Sequence, residues 1–163
     1  MAGTFMITPP LKELFPVERR EMYESFAKNI PEYTDESLLK YELHSEDISI
    51  VGCDISLTEV YIPTEIYGRK VTKIQGIGPN VVILFMSEGI SSIGSGAFRN
   101  CEFLEEVYIP QSVHEIGIDA FANCNMLQSI FVHEGRNNWY YIEQGSLIQR
   151  KDGEVIWKSY ENQ

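Results

Sequence analysis

The sequence has few cysteines and few basic residues, and each shortage excludes a class of protein. Its 163 residues include three cysteines, Cys53, Cys101 and Cys124, an odd and low count for a secreted disulfide framework. Thirteen Lys and Arg residues stand against 24 Asp and Glu residues, so the formal net charge is −11. Nucleic acids and anionic membranes attract basic proteins, so neither is expected as a partner. The acidic composition fits a basic protein partner better.

Long apolar runs are absent as well. No segment reaches the roughly 20 apolar residues of a membrane-spanning helix. Residues 1–10 lack the basic and apolar regions of a signal peptide. We therefore expect a cytoplasmic protein by default, with secretion or display at the cell surface as the alternative. We also expect a monomer or a weak dimer.

Motifs for catalysis and metal binding are missing too. There is no Cys-x-x-Cys pair, and His44, His114 and His133 have no partner at metal-ligand spacing. Residues 94–99 begin like a dinucleotide-binding fingerprint but lack its last glycine. Neither Gly-x-Ser-x-Gly nor His-Glu-x-x-His occurs. We therefore expect no enzyme activity, no metal and no cofactor.

What the chain does contain is one segment that occurs twice, 23 residues apart, at residues 93–109 and 116–132. Its apolar positions recur at the same offset. The recurring pairs are Ile93 and Ile116, Ala97 and Ala120, Phe98 and Phe121, Cys101 and Cys124, Leu104 and Leu127, Val107 and Ile130, and Ile109 and Val132. A period of this length indicates a solenoid, in which each coil buries its apolar residues against neighbouring coils.

Weaker copies extend the repeat towards the N-terminus. Residues 59–63 match residues 106–110 one for one, and residues 83–86 have the same role between them. Alternation of apolar with other residues indicates a half-buried strand in each copy. The strand positions are Val60, Leu84, Val107 and Ile130. We predict a right-handed α+β solenoid of about four coils with a parallel sheet.

Hairpins are predicted at both ends of the solenoid. Residues 39–43 and 48–51 form the first, and residues 146–157 form the second around an Asp-Gly turn. We divide the chain into an N-terminal helical extension or cap, residues 1–38, and a leucine-rich repeat solenoid with a C-terminal hairpin cap, residues 39–163.

The extension contains an amphipathic helix, predicted over residues 16–29 between two prolines. Its apolar stripe consists of Met22, Tyr23, Phe26, Ala27 and Ile30. The stripe must be buried somewhere, and we expect it to cap the first coil. The alternatives are that the helix lies across the strand aromatics or pairs with another chain.

The two well-matched copies resemble the coil of the BspA-like, or treponemal-type, leucine-rich repeat family, I-G-x-x-A-F-x-x-C-x-x-L-x-x-V-x-I-P. The resemblance covers residues 39–158. The opening passage of the family resembles residues 50–52, 60–63 and 68–74, and its closing passage resembles Asn137, Tyr140, Gly145 and Leu147. The resemblance implies a bacterial, non-enzymatic protein that binds other proteins, including host matrix and partner cells in adhesion.

One aromatic residue per coil occupies the same outward strand position: Tyr61, Phe85, Tyr108 and Phe131. Parallel strands lie about 4.8 Å apart, so these rings are predicted to form a ladder on a concave sheet. The rings could serve only to stabilise the sheet by stacking. They could also form an exposed partner-binding surface with Glu59, Glu106 and His133 at its rim. Stacking of a carbohydrate on the same rings is the alternative function.

Overall fold

The structure is a computed structural model that describes residues 23–30, 32–132, 140–143, 147–150 and 155–158. Residues 23–28 form a helix, α1, and a single 3-10 turn covers Glu36–Leu38. The remaining regular structure is β. The strands are β1 (Leu39–Leu43), β2 (Asp47–Cys53), β3 (Glu59–Ile62), β4 (Glu65–Ile66), β5 (Arg69–Ile74), β6 (Ile83–Met86), β7 (Ser92–Ile93), β8 (Glu106–Ile109), β9 (Glu115–Ile116), β10 (Ser129–Val132), β11 (Tyr140–Glu143), β12 (Leu147–Arg150) and β13 (Val155–Lys158).

Two sheets run along the solenoid, and successive coils add strands to both. The first sheet has the order β10-β8-β6-β3, with every pair parallel. In the second sheet, β2, β5, β7 and β9 are parallel neighbours. The fold is a small β-solenoid of about three turns. The parallel sheet confirms the prediction from the repeat, although the complete turns number about three where about four coils were expected.

Hairpin pairing occurs at both ends, as the alternation of residues predicts. At the N-terminal end β1 pairs with β2 in antiparallel register, and β4 pairs in the same sense with β5. At the C-terminal end β11, β12 and β13 form an antiparallel sheet of three strands. The predicted Asp-Gly turn of this hairpin lies outside the described residues.

The core lies between the two sheets and consists of the repeated inward positions. Val60, Leu84, Val107 and Ile130 are fully buried at equivalent positions of the first sheet. The rings of Phe98 and Phe121 lie 5.2 Å apart, centroid to centroid, in neighbouring coils. Apolar residues at one offset thus form continuous columns, which bury side chains that a single coil would leave in water.

The turns of the coils repeat an unusual backbone conformation together with the residues that permit it. Gly96 has a φ of 63° and Asp119, one coil later, has 58°. Asn100 and Asn123 have φ values of 63° and 60°. Asn and Asp tolerate this left-handed region better than most residues. The Asn123 Nδ2 atom also donates to Asn100 Oδ1 at 2.9 Å, so the repeated asparagines connect adjacent turns.

We expect Gly117→Ala to destabilise the protein by about 1–3 kcal/mol, because close backbone packing leaves no room for a side chain. A Cβ atom at this position would lie 2.3 Å from the backbone nitrogen of Ser95 in the preceding coil. Chemical denaturation measures the free energy of unfolding. Gly52→Ala is the control, since its Cβ would meet Lys40 Cδ at an ordinary 3.5 Å. Equal stability of the two variants would contradict the close approach.

Candidate functional site

The four outward aromatic residues of the first sheet are in direct register. Tyr61 pairs with Phe85, Phe85 with Tyr108, and Tyr108 with Phe131 along the four strands. We call these four residues the aromatic ladder and the side of the sheet that carries them the ladder face. The side chains of Tyr61, Phe85 and Tyr108 are described, whereas the side chain of Phe131 lies outside the described structure. The sequence therefore predicted the register correctly.

Helix α1 lies on the ladder face. The Phe26 ring stacks on Tyr108 at a centroid distance of 4.0 Å, on Phe85 at 5.6 Å and on Tyr61 at 6.0 Å. Tyr23 stacks on Phe85 at 5.0 Å. Its hydroxyl donates to the backbone oxygen of Met86 at 2.6 Å, which satisfies a polar group inside an apolar contact. Two residues of one helical turn thus contact three rings of the ladder.

In this arrangement helix α1 covers the rings that would otherwise form an exposed aromatic stripe. Phe85 and Tyr108 retain only 1% and 4% of their accessible surface, and Tyr61 is half-buried. Burial, together with the nearby Glu106, raises the pKa of the Tyr108 phenol above its usual value. Stacked aromatic rings that leave water together gain both hydrophobic and ring–ring energy, which accounts for the position of the helix.

The extension that carries α1 also pairs with the edge of the first sheet. The Thr34 backbone nitrogen donates to the Tyr61 oxygen at 2.9 Å, and its hydroxyl accepts from the Tyr61 nitrogen at 2.8 Å. Edge strands need such partners because their backbone groups are otherwise unpaired. Helix α1 itself contacts the ladder, which is the arrangement given above as an alternative to capping. Residues 16–22 of the predicted helix lie outside the described residues.

An acidic rim lies at the start of the same strands. Tyr61 Oη donates to Glu59 Oε1 at 2.5 Å, and burial together with this bond raises the pKa of Tyr61 to about 12. Burial is also the main cause that raises the pKa of Glu106, followed by the charges of Glu105 and Glu59. Among the described residues Glu106 has no ion-pair partner. The predicted rim residue His133 lies outside the described part of the chain.

We expect Glu106→Gln to stabilise the folded state at pH 7 by less than about 1 kcal/mol, because solvent screens this half-buried carboxylate. Its folded-state pKa is raised above the ordinary value of 4.5, so the charged form is disfavoured in the folded protein. The gain in stability should therefore disappear as the pH falls below the ordinary pKa of 4.5, because the carboxyl group is then protonated in both the folded and the unfolded state. Thermal unfolding across pH measures the effect, with the exposed Glu102→Gln as the control. A lower stability of Glu106→Gln at pH 7 would contradict it.

Tyr23 and Phe26 are the residues whose role at this site the sequence did not reveal. Their spacing of three positions placed them on one apolar stripe of the helix. That pattern indicates that the two side chains are buried but does not indicate which surface they contact. The signal that could have identified the surface is chemical similarity, since both sides of the contact are aromatic.

Cys101 and Cys124 lie at equivalent positions of adjacent coils and Cys53 lies at the end of β2, and all three serve as core residues. All three are buried free thiols. Burial raises the pKa of Cys101 to about 11 and that of Cys124 to about 12. Gly78 lies against Cys53, since a Cβ at Gly78 would lie 2.7 Å from Cys53 Sγ. Thiols with such raised pKa values carry little thiolate and are poor nucleophiles.

The described residues include no group of three or more His, Cys, Asp or Glu side chains placed to hold a metal ion. No helix in this part of the chain is long and apolar enough to cross a membrane.

Residues 52–147 match the BspA type leucine-rich repeat region in six copies. A leucine-rich repeat protein from Bacteroides ovatus is 27% identical with a TM-score of 0.50, and the match covers 62% of this chain and 29% of that one. A T. pallidum leucine-rich repeat protein is 19% identical with a TM-score of 0.38, covering 61% and 71% of the two chains. No curated protein matches. The chain thus spans less than a third of the length of the Bacteroides protein.

Proposed function

We propose, since the chain belongs to the BspA type leucine-rich repeat family, that it is a non-enzymatic protein-interaction module whose recognition surface is the ladder face. Leucine-rich repeats form scaffolds for protein interaction. The ladder face supplies an array of aromatic rings in register, bordered by carboxylates. Aromatic residues are over-represented in the central parts of protein interfaces, where they contribute large contact areas.

One observation carries this proposal: the ladder face already holds a segment that is separate from the repeats. Helix α1 is stacked on it through Tyr23 and Phe26. The repeats bury their own core on the opposite side of the same strands. The outward rings of Phe85 and Tyr108 are buried by helix α1, so the ladder face joins two segments that are distant in sequence, as an interface between two proteins does.

The carboxylates at the rim support the same function. Glu106 is half-buried among other acidic charges, an arrangement that weakens the folded protein at neutral pH. Groups with such unfavourable surroundings are concentrated at functional sites. A cation brought by a basic protein would remove the repulsion between Glu59 and Glu106, and the net charge of −11 would attract such a protein from a distance.

Capture of a partner with matched tyrosine variants tests the proposal. Immobilised protein is incubated with lysate and with culture medium, and any captured protein is then purified and titrated. Tyr61→Ser should weaken its binding by at least about tenfold, as expected for an interface hot spot. Tyr67→Ser is the control, because Tyr67 is exposed in the turn after β4, outside the ladder face. Unchanged affinity of Tyr61→Ser would overturn the proposal.

Adhesion is a narrower form of this function, in which the partner is a host-matrix protein or a protein on another cell. Its test is binding of the purified protein to immobilised matrix proteins, with Tyr61→Ser and Tyr67→Ser as the same pair of variants. Carbohydrate binding has less support. A sugar stacks on the free face of a ring, and helix α1 occupies the faces of Phe85 and Tyr108. A glycan array probed with the whole chain compares the two functions directly.

A further inference from the structure

We propose that the partner binds the ladder face as a basic amphipathic helix with a Tyr-x-x-Phe pair, and that it displaces helix α1 in order to bind. This inference rests on the proposed function, because it names the chemistry of the partner for the same surface. Helix α1 is then the internal competitor of that partner.

The contacts of α1 define the aromatic part of the partner. Phe26 lies above all three described rings of the ladder, and Tyr23 stacks on Phe85. The Tyr23 hydroxyl reaches the Met86 oxygen, so the first position of the pair requires a ring with a hydrogen-bond donor. Residues three apart lie on the same side of a helix. A helix with Tyr and Phe at this spacing therefore reproduces the described ring contacts of α1.

The connection of α1 to the solenoid permits displacement without unfolding. The helix ends where the Asn29 nitrogen donates to Phe26 oxygen at 3.0 Å. Residues 32 and 33 have no regular structure, and Thr34 is held to β3 by its two bonds with Tyr61. An amphipathic helix alone in water is marginally stable, so α1 depends on the ladder for its order. It can leave the face while Thr34 stays in place.

An external helix would also contact the acidic rim, where the described residues of α1 form no ion pair. Among the described residues, α1 brings no ion-pairing cation to Glu106, and Lys28 is exposed. The strands place Glu59 and Glu106 beside the rings on which Phe26 stacks. A Lys or Arg of a partner helix would pair with these carboxylates, of which Glu59 is exposed and Glu106 is half-buried. The partner thereby gains a charge-assisted interaction that the described part of α1 does not supply.

Labelled peptides titrated into the full chain test this inference by fluorescence anisotropy. The probe has the sequence of residues 16–31 with Glu18, Glu21 and Glu24 replaced by Gln, which leaves its three basic residues unopposed. We expect it to bind the full-length Phe26→Ala variant at least about tenfold more tightly than the wild-type chain, because the internal competitor is weakened. Glu59→Gln with Glu106→Gln in that variant should reduce the affinity and its dependence on salt.

The matched control is the same peptide with Tyr23→Ser and Phe26→Ser, which should not bind. Equal binding of this control would overturn the Tyr-x-x-Phe requirement, and equal affinity of wild-type and Phe26→Ala chains would overturn displacement. A stable dimer in sedimentation, with helices exchanged between copies and no peptide added, would overturn an external partner. If no peptide binds the chain, but Tyr61→Ser still abolishes binding of a captured protein, only this inference is overturned and the proposed function stands. If the peptide binds the Tyr61→Ser variant with unchanged affinity, the proposed recognition surface is overturned as well.

Discussion

Phe98→Ala is expected to lower the free energy of unfolding by about 3–5 kcal/mol, enough to unfold most of a marginally stable domain. Phe98 is fully buried and its ring lies 5.2 Å from that of Phe121 in the next coil. The repeat cannot rearrange to fill the cavity, because each coil is held in register by neighbours on both sides. Thermal and urea denaturation monitored by circular dichroism measure the change.

Phe103→Ala is the control for this experiment. Phe103 belongs to the same coil as Phe98, but 52% of its surface is exposed. Its removal deletes the same atoms from the chain without opening a cavity, so we expect a change within about 0.5 kcal/mol. Similar losses in the two variants would show that the aromatic column of the core does not hold the coils together.

Phe26→Ala is expected to release helix α1 from the ladder face while the solenoid stays folded. Phe26 stacks on Tyr61, Phe85 and Tyr108, and its loss removes about 2–3 kcal/mol of apolar and ring–ring contact. At 1.4 kcal/mol for each factor of ten, the open population should rise roughly 30- to 140-fold. Alanine keeps the helix propensity high, so the effect comes from the contact and not from the helix itself.

Hydrogen exchange measures this opening residue by residue. Amides of residues 23–28 should lose protection, whereas those of β6 and β8 should keep theirs, and an apolar dye should bind the uncovered rings. Lys28→Ala is the control, because Lys28 is exposed on the same helix. Loss of protection throughout β6 and β8 would mean that α1 is an integral part of the core and not a cover.

The two experiments address different sides of the same strands. Removal of Phe98 affects the inward columns that make the solenoid, and removal of Phe26 affects the outward ladder. If the outward residues served only to stabilise the sheet, Phe26→Ala would destabilise the sheet and the helix together. If Phe26→Ala releases the helix and leaves the sheet stable, the result supports the distinction between the solenoid scaffold and the recognition surface.

The repeat made the inward side of the fold predictable from sequence. Ile93 and Ile116 are 23 positions apart and pair in one column of the core. Val107 and Ile130 have the same spacing and pair in a second column. The pairing of Tyr61, Phe85 and Tyr108 was predictable for the same reason, since parallel strands at a fixed period keep a fixed register. The turns are similarly encoded, with Asn100 and Asn123 at matching left-handed positions.

The exposure of the ladder could not be predicted in this way. Tyr108 occupies an outward position by alternation, but it is buried because Phe26 lies on its ring at 4.0 Å. The two residues are 82 positions apart, and Phe26 belongs to a segment outside the repeat. Periodicity relates residues within the array and carries no information about a segment that has no counterpart in it.

The sequence by itself determined the coil, its period and which side chains face the core, because those depend on local alternation and on contacts between equivalent positions. It also determined that the stripe containing Tyr23 and Phe26 must be buried. Only the tertiary structure decided where, since apolar burial is not directional and several surfaces could have received the stripe. The ladder face exists only after the coils have stacked, so its cover is a property of the assembled solenoid.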